Sequence, residues 1–195
     1  MDEAAIRLVI YHTCQNQLNL APVHGRDAMI CPHCHQKVLP FDSGRPDLLV
    51  MNRFGFQTVV EVKCIHEERG EKSFAFADHK ENQIKWMNWW TTVTDEEKLW
   101  HYQPIGFLAI GTSVGQQIWV MEWQVWNNDI VKPATEAGKK SVGITTLTER
   151  MKPYELIKEK KDWYFQAGHP IWTVLPNVIP VNGVRETPTL GNQEE

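Results

Sequence analysis

Pro46-Asp47, then thirteen residues, then Glu61-Val62-Lys63 place two carboxylates and a lysine in one short stretch of chain. Carboxylate oxygens suit a divalent cation such as Mg2+, a cation of that kind activates water, and an ammonium group stabilises charge developing on phosphorus. The set therefore suits hydrolysis of a phosphate ester. The bland alternative is a solvated hairpin whose Glu61 and Lys63 form a surface pair.

Chemistry of this kind needs elements that bring the three side chains together. Residues 48–52 (LLVMN) read as a short strand, Arg53-Phe54-Gly55 as a turn, and 57–64 (QTVVEVKC) as a second strand rich in β-branched residues. Side chains alternate along a strand, so Glu61 and Lys63 share one face while Val60 and Val62 share the other. Residues 2–15 read as a helix, with Ile6, Val9 and Ile10 at helical spacing. Asp78 is an N-cap candidate for a second helix over 79–91, whose apolar side carries Ile84, Met87 and Trp86 or Trp90. Pro104 then precedes 105–111 (IGFLAIG), which reads as a buried strand.

Helix, two-stranded hairpin, helix, strand is the order of the restriction-endonuclease-like core. With its acid–acid–lysine set the chain resembles the PD-(D/E)xK nuclease superfamily, over roughly residues 46–111. Within that superfamily it is most similar to RecU-type Holliday junction resolvases and their phage relatives. In those proteins a Phe-rich stretch, then a helix opening with a His-x-x-x-Gln-Ile-like segment, follows the ExK. Phe74-Ala75-Phe76-Ala77-Asp78-His79-Lys80-Glu81-Asn82-Gln83-Ile84 stands in that place here.

The resemblance implies an α/β fold with a mixed central sheet flanked by helices. It implies that Asp47 and Glu61 ligate a catalytic Mg2+ or Mn2+, with the backbone carbonyl of Val62 as a third oxygen. Lys63 would orient the attacking water or stabilise the transition state, and Gln83 would contact the water, the metal shell or the scissile phosphate. The alternative for Gln83 is a helix N-terminal residue facing solvent. His79, four residues earlier, is expected on the same helix face. Family members often carry a further acid on the first helix; Asp2 and Glu3 are the acids there, and Glu3 is the candidate. The implied activity is Mg2+-dependent endonucleolytic cleavage of DNA, leaving a 5′-phosphate, on branched substrates such as four-way junctions. A homodimer would offer two active sites to two strands. The rivals are an exonuclease or site-specific restriction-type enzyme of the same fold, and a non-catalytic zinc-containing module that binds nucleic acid or protein.

A second constellation lies between residues 12 and 35. Cys31-Pro32-His33-Cys34-His35 is a CxxC knuckle, with His12, Cys14 and His24 upstream. Zn2+ takes four ligands in a tetrahedron, and CxxC sets two thiolates on one tight turn. Cys14 is the third ligand preferred and His24 the fourth, with His12, His33 and His35 as substitutes. Such a structural zinc would pin a polar insertion near the N-terminus, before the catalytic hairpin, and could present Arg26 or Lys37 to DNA. A redox pair, unliganded thiols and a disulfide are the alternatives; the disulfide suits a cytosolic chain least. Cys64 is expected to face away from the catalytic side, into the core.

Length and charge frame these readings. The 195 residues suit one nuclease domain over 1–184: a zinc-knuckle insertion at about 12–35, a catalytic core at about 40–112 and an extension over 113–184. The polar run 185–195 (RETPTLGNQEE) reads as a flexible tail. Apolar runs are too short to span a bilayer and no signal peptide is evident, so a cytoplasmic protein is expected, bacterial or phage-encoded in a host. Net charge is −4, against a generally basic DNA-coating protein, yet residues 130–165 carry eight Lys/Arg and five Asp/Glu, a local +3. Lys139, Lys140, Arg150, Lys152, Lys158, Lys160 and Lys161 could line a phosphate-binding surface. Residues 154–164 (YELIKEKKDWY) read as helical, so a solvated helix face is the alternative. Trp119, Trp123 and Trp126 are expected in the core or a dimer interface.

Overall fold

The computed structural model describes residues 1–18, 21–24, 29–30, 37–38, 46–51, 57–92 and 105–174, with side chains for 1–18, 46–50, 58–88, 91 and 105–172. Helix α1 (Glu3–Leu18) opens the chain, followed by β1 (Ala21–His24), β2 (Met29–Ile30), β3 (Lys37–Val38), β4 (Leu48–Met51) and β5 (Gln57–Ile65). Then come β6 (Ser73–Ala75), α2 (Glu81–Thr92), β7 (Ile105–Thr112), β8 (Ile118–Glu122), α3 (Trp123–Val125) and α4 (Lys132–Glu136). The described chain ends with β9 (Ser141–Gly143), α5 (Ile144–Arg150), β10 (Leu156–Glu159), β11 (Asp162–Phe165) and α6 (Ile171–Val174). The fold is mixed α/β. The turn expected at 53–55, Pro104 and the tail expected over 185–195 lie outside the described residues.

Five strands form the central sheet in the order β1-β4-β5-β7-β8, and only the β5–β7 pair is parallel. A parallel neighbour requires a crossover, and β6 with α2 supplies it. Strand alternation divides the molecule into two cores. Leu48, Val50, Val60, Val62, Phe107 and Ala109 meet Ile6, Ile10, Cys14 and Leu18 of α1 on one face. Val59, Ile65, Leu108, Ile110, Trp119 and Met121 meet Met87 of α2 and the tryptophans 123 and 126 on the other. Those three tryptophans are 0–1% exposed, so they are core residues of the chain.

Strand β7 lies between both helices and carries a glycine for each. A Cβ at Gly111 would stand 2.5 Å from Cδ1 of Ile6 in α1, and one at Gly106 would stand 2.9 Å from Cε of Met87 in α2. Their lack of a side chain sets how closely the helices approach the sheet. Beyond β8, α3 runs through a π-helical turn (Trp126–Val131) into α4. Pro133 has no N–H and its ring crowds the carbonyl four residues back, which accounts for the widened register. That carbonyl, of Asp129, accepts Arg150 Nη1 at 3.3 Å instead.

Two expectations are corrected here. Residues 154–164 do not form the expected helix: after a 3-10 turn ending at Tyr154, β10 and β11 form an antiparallel hairpin with Lys160 at a left-handed φ of 57°. The Glu/Lys-rich stretch has helix-forming residues, but burial of the cross-strand pair Leu156 and Phe165 against α1 outweighs them. Helix α2 begins at Glu81, and Asp78 belongs to the short 3-10 turn before it (Phe76–Asp78). Among the described residues no helix is long and apolar enough to cross a membrane.

Candidate active site

Pairing of β4 with β5 brings the two carboxylates together. Leu48 pairs with Val60 in an antiparallel register, so one step outward Asp47 stands across from Glu61. At this end of β4 the Asp47 side chain takes the place of a strand partner: its Oδ2 accepts the backbone N–H of Val62 at 2.9 Å. Arg7 of α1 reaches the other oxygen, with Nη1 3.4 Å from Oδ1. Glu61 and Lys63 share the α2-facing side of β5, as alternation requires, while Val60 and Val62 fill the α1-side core.

Neither member of the Glu61–Lys63 pair is solvated. Glu61 is 0% exposed and Lys63 8%, and Lys63 Nζ lies 2.6 Å from Glu61 Oε1. Gln83, the third residue of α2, completes the group: its Nε2 donates to the same Glu61 oxygen. Its Oε1 accepts Lys63 Nζ at 3.2 Å and the Lys80 backbone N–H at 3.1 Å. The amide orientation is dictated by chemistry, since two pure donors face the oxygen and a carboxylate faces the nitrogen. By reaching back to Lys80, Gln83 also caps α2, which ties the start of that helix to the site.

The electrostatics of Glu61 are the most informative feature. Burial, first, and the neighbouring Asp47 charge, second, push its carboxyl up to about 7, while Lys63 pulls it back and Glu3 adds a smaller upward push. Glu61 Oε2 is buried without a hydrogen-bond partner. An orphaned buried carboxylate oxygen costs on the order of 1–3 kcal/mol, more for a charged group. A cation between Asp47 and Glu61 would relieve both the orphaned oxygen and the repulsion. Among the described residues no three His, Cys, Asp or Glu side chains stand close enough to share an ion. Asp47 and Glu61 are the two described carboxylates that could serve as donors to a cation at this site. That donor set suits Mg2+ or Mn2+, which keep several waters.

Asp47, Glu61, Lys63 and Gln83, singled out in the sequence, therefore converge. Glu3 acts on Glu61 through its charge. His79 does not share a helix face with Gln83: it precedes α2 in extended conformation, 5% exposed, against Phe74, Trp123 and Trp126. The late start of α2 is the reason. Burial, with the Lys63 charge second, pushes the His79 imidazole down to about 3. Arg7 is the site residue that sequence reasoning missed. Its only signal is the spacing of four from Glu3, which sets an acid and a guanidinium on one side of α1.

The zinc expectation falls largely outside the described residues, which include neither Cys31, His33, Cys34 nor His35, nor the side chain of His24. Cys14 is buried in the α1 core, where desolvation pushes its thiol up to about 12, away from the thiolate that zinc binds. His12 is exposed on α1, edge-on to Tyr11. Cys64 packs on the α1-side core, away from Glu61 and Lys63. No protein-family model matches this sequence, and no curated protein matches it.

Proposed function

We propose that this chain is a divalent-cation-dependent endodeoxyribonuclease with a restriction-endonuclease-like core, acting on branched DNA as a homodimer. One observation carries the reading: a fully buried Glu61, opposed by Asp47 and held by Lys63 and Gln83, keeps one carboxylate oxygen without a donor. Stability alone gives no reason for it, because apolar residues in place of a buried ion pair are often neutral or stabilising by about 1–4 kcal/mol. The order α1, β4–β5 hairpin, α2, β7 supports the core assignment. Four-way junction DNA is the substrate to which the resemblance to RecU-type resolvases points.

Asp47 and Glu61 would hold Mg2+ or Mn2+, which supplies Lewis acidity and a water acidified for attack. The chain's own groups do the rest. Lys63 sets a positive charge beside the carboxylates, where a phosphate approaching them gathers negative charge in the transition state. Gln83 fixes the Lys63 ammonium through its Oε1 and the Glu61 carboxylate through its Nε2, so both are oriented before substrate arrives. Asp47 is oriented in the same sense by the Val62 amide.

Incubation with labelled four-way junction, linear duplex and single-stranded DNA tests the reading, with Mg2+ or Mn2+ and with chelator. Symmetric cation-dependent cuts near the crossover are expected. Cutting of linear DNA alone would keep the nuclease and discard the junction preference. No cutting of any substrate with either cation would overturn the reading in favour of a binding module.

A further inference from the structure

Two groups of described lysines in the second half of the chain lie on opposite faces of the sheet. Lys158, Lys160 and Lys161 lie on the β10–β11 hairpin, which is fastened to α1: Phe165 N–H donates to Gln17 Oε1 at 2.7 Å, and Thr13 Oγ1 lies 3.4 Å from the Trp163 carbonyl. That is the face opposite Glu61 and Lys63. Lys158 is also engaged, 2.6 Å from Gln116 Oε1 and over the Trp163 ring at 5.4 Å.

Lys139 and Lys140 are placed differently. Helix α4 ends in a double turn: Gly138, at φ 73°, donates to the Thr135 carbonyl at 2.8 Å, and the Lys139 amide reaches back to Ala134 at 2.8 Å. This closure stops the helix and sets the direction of the next two residues. The Lys140 carbonyl then accepts the Phe76 amide at 3.0 Å, just beyond the β6–β9 ladder. Phe76 begins the turn that leads through His79 to Lys80, whose amide holds Gln83. Two adjacent exposed lysines are thus pinned beside the segment that carries a site residue. Lys80, Lys139 and Lys140 are all exposed, and among the described residues none has an ion-pair partner within 4.0 Å. The acids on the same segments are Asp78, Glu81 and Glu136, and Glu81 is taken by Lys85 at 2.6 Å.

We infer that Lys80, Lys139 and Lys140 form the surface that grips the DNA phosphate backbone beside the scissile bond, and that the hairpin lysines take no part. The inference rests on the nuclease reading of Asp47, Glu61 and Lys63. It explains how a chain of net charge −4, with an acidic site, holds a polyanion: three exposed lysines, unpaired among the described residues, lie on segments joined to the start of α2, which carries Gln83.

Anisotropy titration of fluorescein-labelled duplex and four-way junction, with chelator present, tests it on the full chain. The variants are Lys80→Ala/Lys139→Ala/Lys140→Ala and, for comparison, Lys158→Ala/Lys160→Ala/Lys161→Ala. The first is expected to weaken binding of both DNAs about tenfold or more and to reduce the slope of log affinity against log salt by about 3. The hairpin variant is expected within about twofold of wild type, with an unchanged slope. A rim variant that binds like wild type, or a hairpin variant that loses as much, would overturn the assignment while wild-type cleavage stands. A wild type that neither binds nor cuts DNA would overturn the nuclease reading and this surface with it.

Discussion

At the scale of single residues, the two oxygens of Glu61 have unlike surroundings. Oε1 takes both Lys63 and Gln83, whereas Oε2 meets no donor. If that second oxygen is a cation ligand, Gln83 acts by orientation. Gln83→Ala should then lower kcat about 10- to 100-fold with DNA affinity little changed, as single-turnover kinetics would read; a loss confined to KM would contradict it. If Asp47 Oδ1 also binds the cation, Arg7, 3.4 Å away, competes for it, so Arg7→Ala should tighten Mn2+ binding a few-fold in calorimetry, and weaker binding would argue against that role. Buried histidines contribute to the acid limb of stability. Burial holds His79 down to about 3 and His169 to about 4, although backbone hydrogen bonds pull His169 back up. Both are neutral in the folded chain, while the unfolded chain takes up protons near pH 6.5. Their contribution is whole above about pH 6.5 and is lost as pH falls, for His169 toward about 4 and for His79 toward about 3. His79→Phe keeps the aromatic packing and removes one of these groups. Its denaturation midpoint should fall less between pH 7 and pH 5 than the wild type's; an equal fall would contradict the assignment.

At the scale of elements, β7 and its two glycines govern how the helices sit on the sheet. Gly111→Ala drives a methyl group into Ile6 Cδ1 and Cγ1, which are buried and cannot swing to solvent, so a loss of about 1–3 kcal/mol is expected in chemical denaturation. An unchanged midpoint would show that α1 can shift away. The same strand shows what was legible in the sequence. Its unbroken apolar run and the alternation in β5 announced two strands and the faces of Glu61 and Lys63, because those signals are local. Helices α1 and α2 were legible for the same reason, through their spacing of apolar residues. The β10–β11 hairpin was not: its Glu/Lys stretch favours helix locally, and only the distant packing of Leu156 and Phe165 on α1 overrides it. His79 was misplaced because Gln83, not Asp78, caps α2. Arg7 escaped notice because its meeting with Asp47 is made forty residues apart in sequence and only in three dimensions.

At the scale of the whole molecule, the sheet separates two tasks. Its α1 face buries the aliphatic core and carries the β10–β11 hairpin; its α2 face holds the tryptophan-rich core and the buried carboxylate. The exposed lysines divide the same way, with Lys80, Lys139 and Lys140 near the Phe76–Lys80 segment and Lys158, Lys160 and Lys161 on the hairpin. The central claim is that Asp47, Glu61 and Lys63 perform chemistry rather than hold the fold together. Wild type and Lys63→Ala compared for both cleavage and binding of the same four-way junction test it most directly, with thermal unfolding as the check on folding. Cleavage should fall at least about a hundredfold in the variant, while junction affinity stays within a few-fold and the protein stays folded. A folded Lys63→Ala that cuts as fast as wild type would contradict the account.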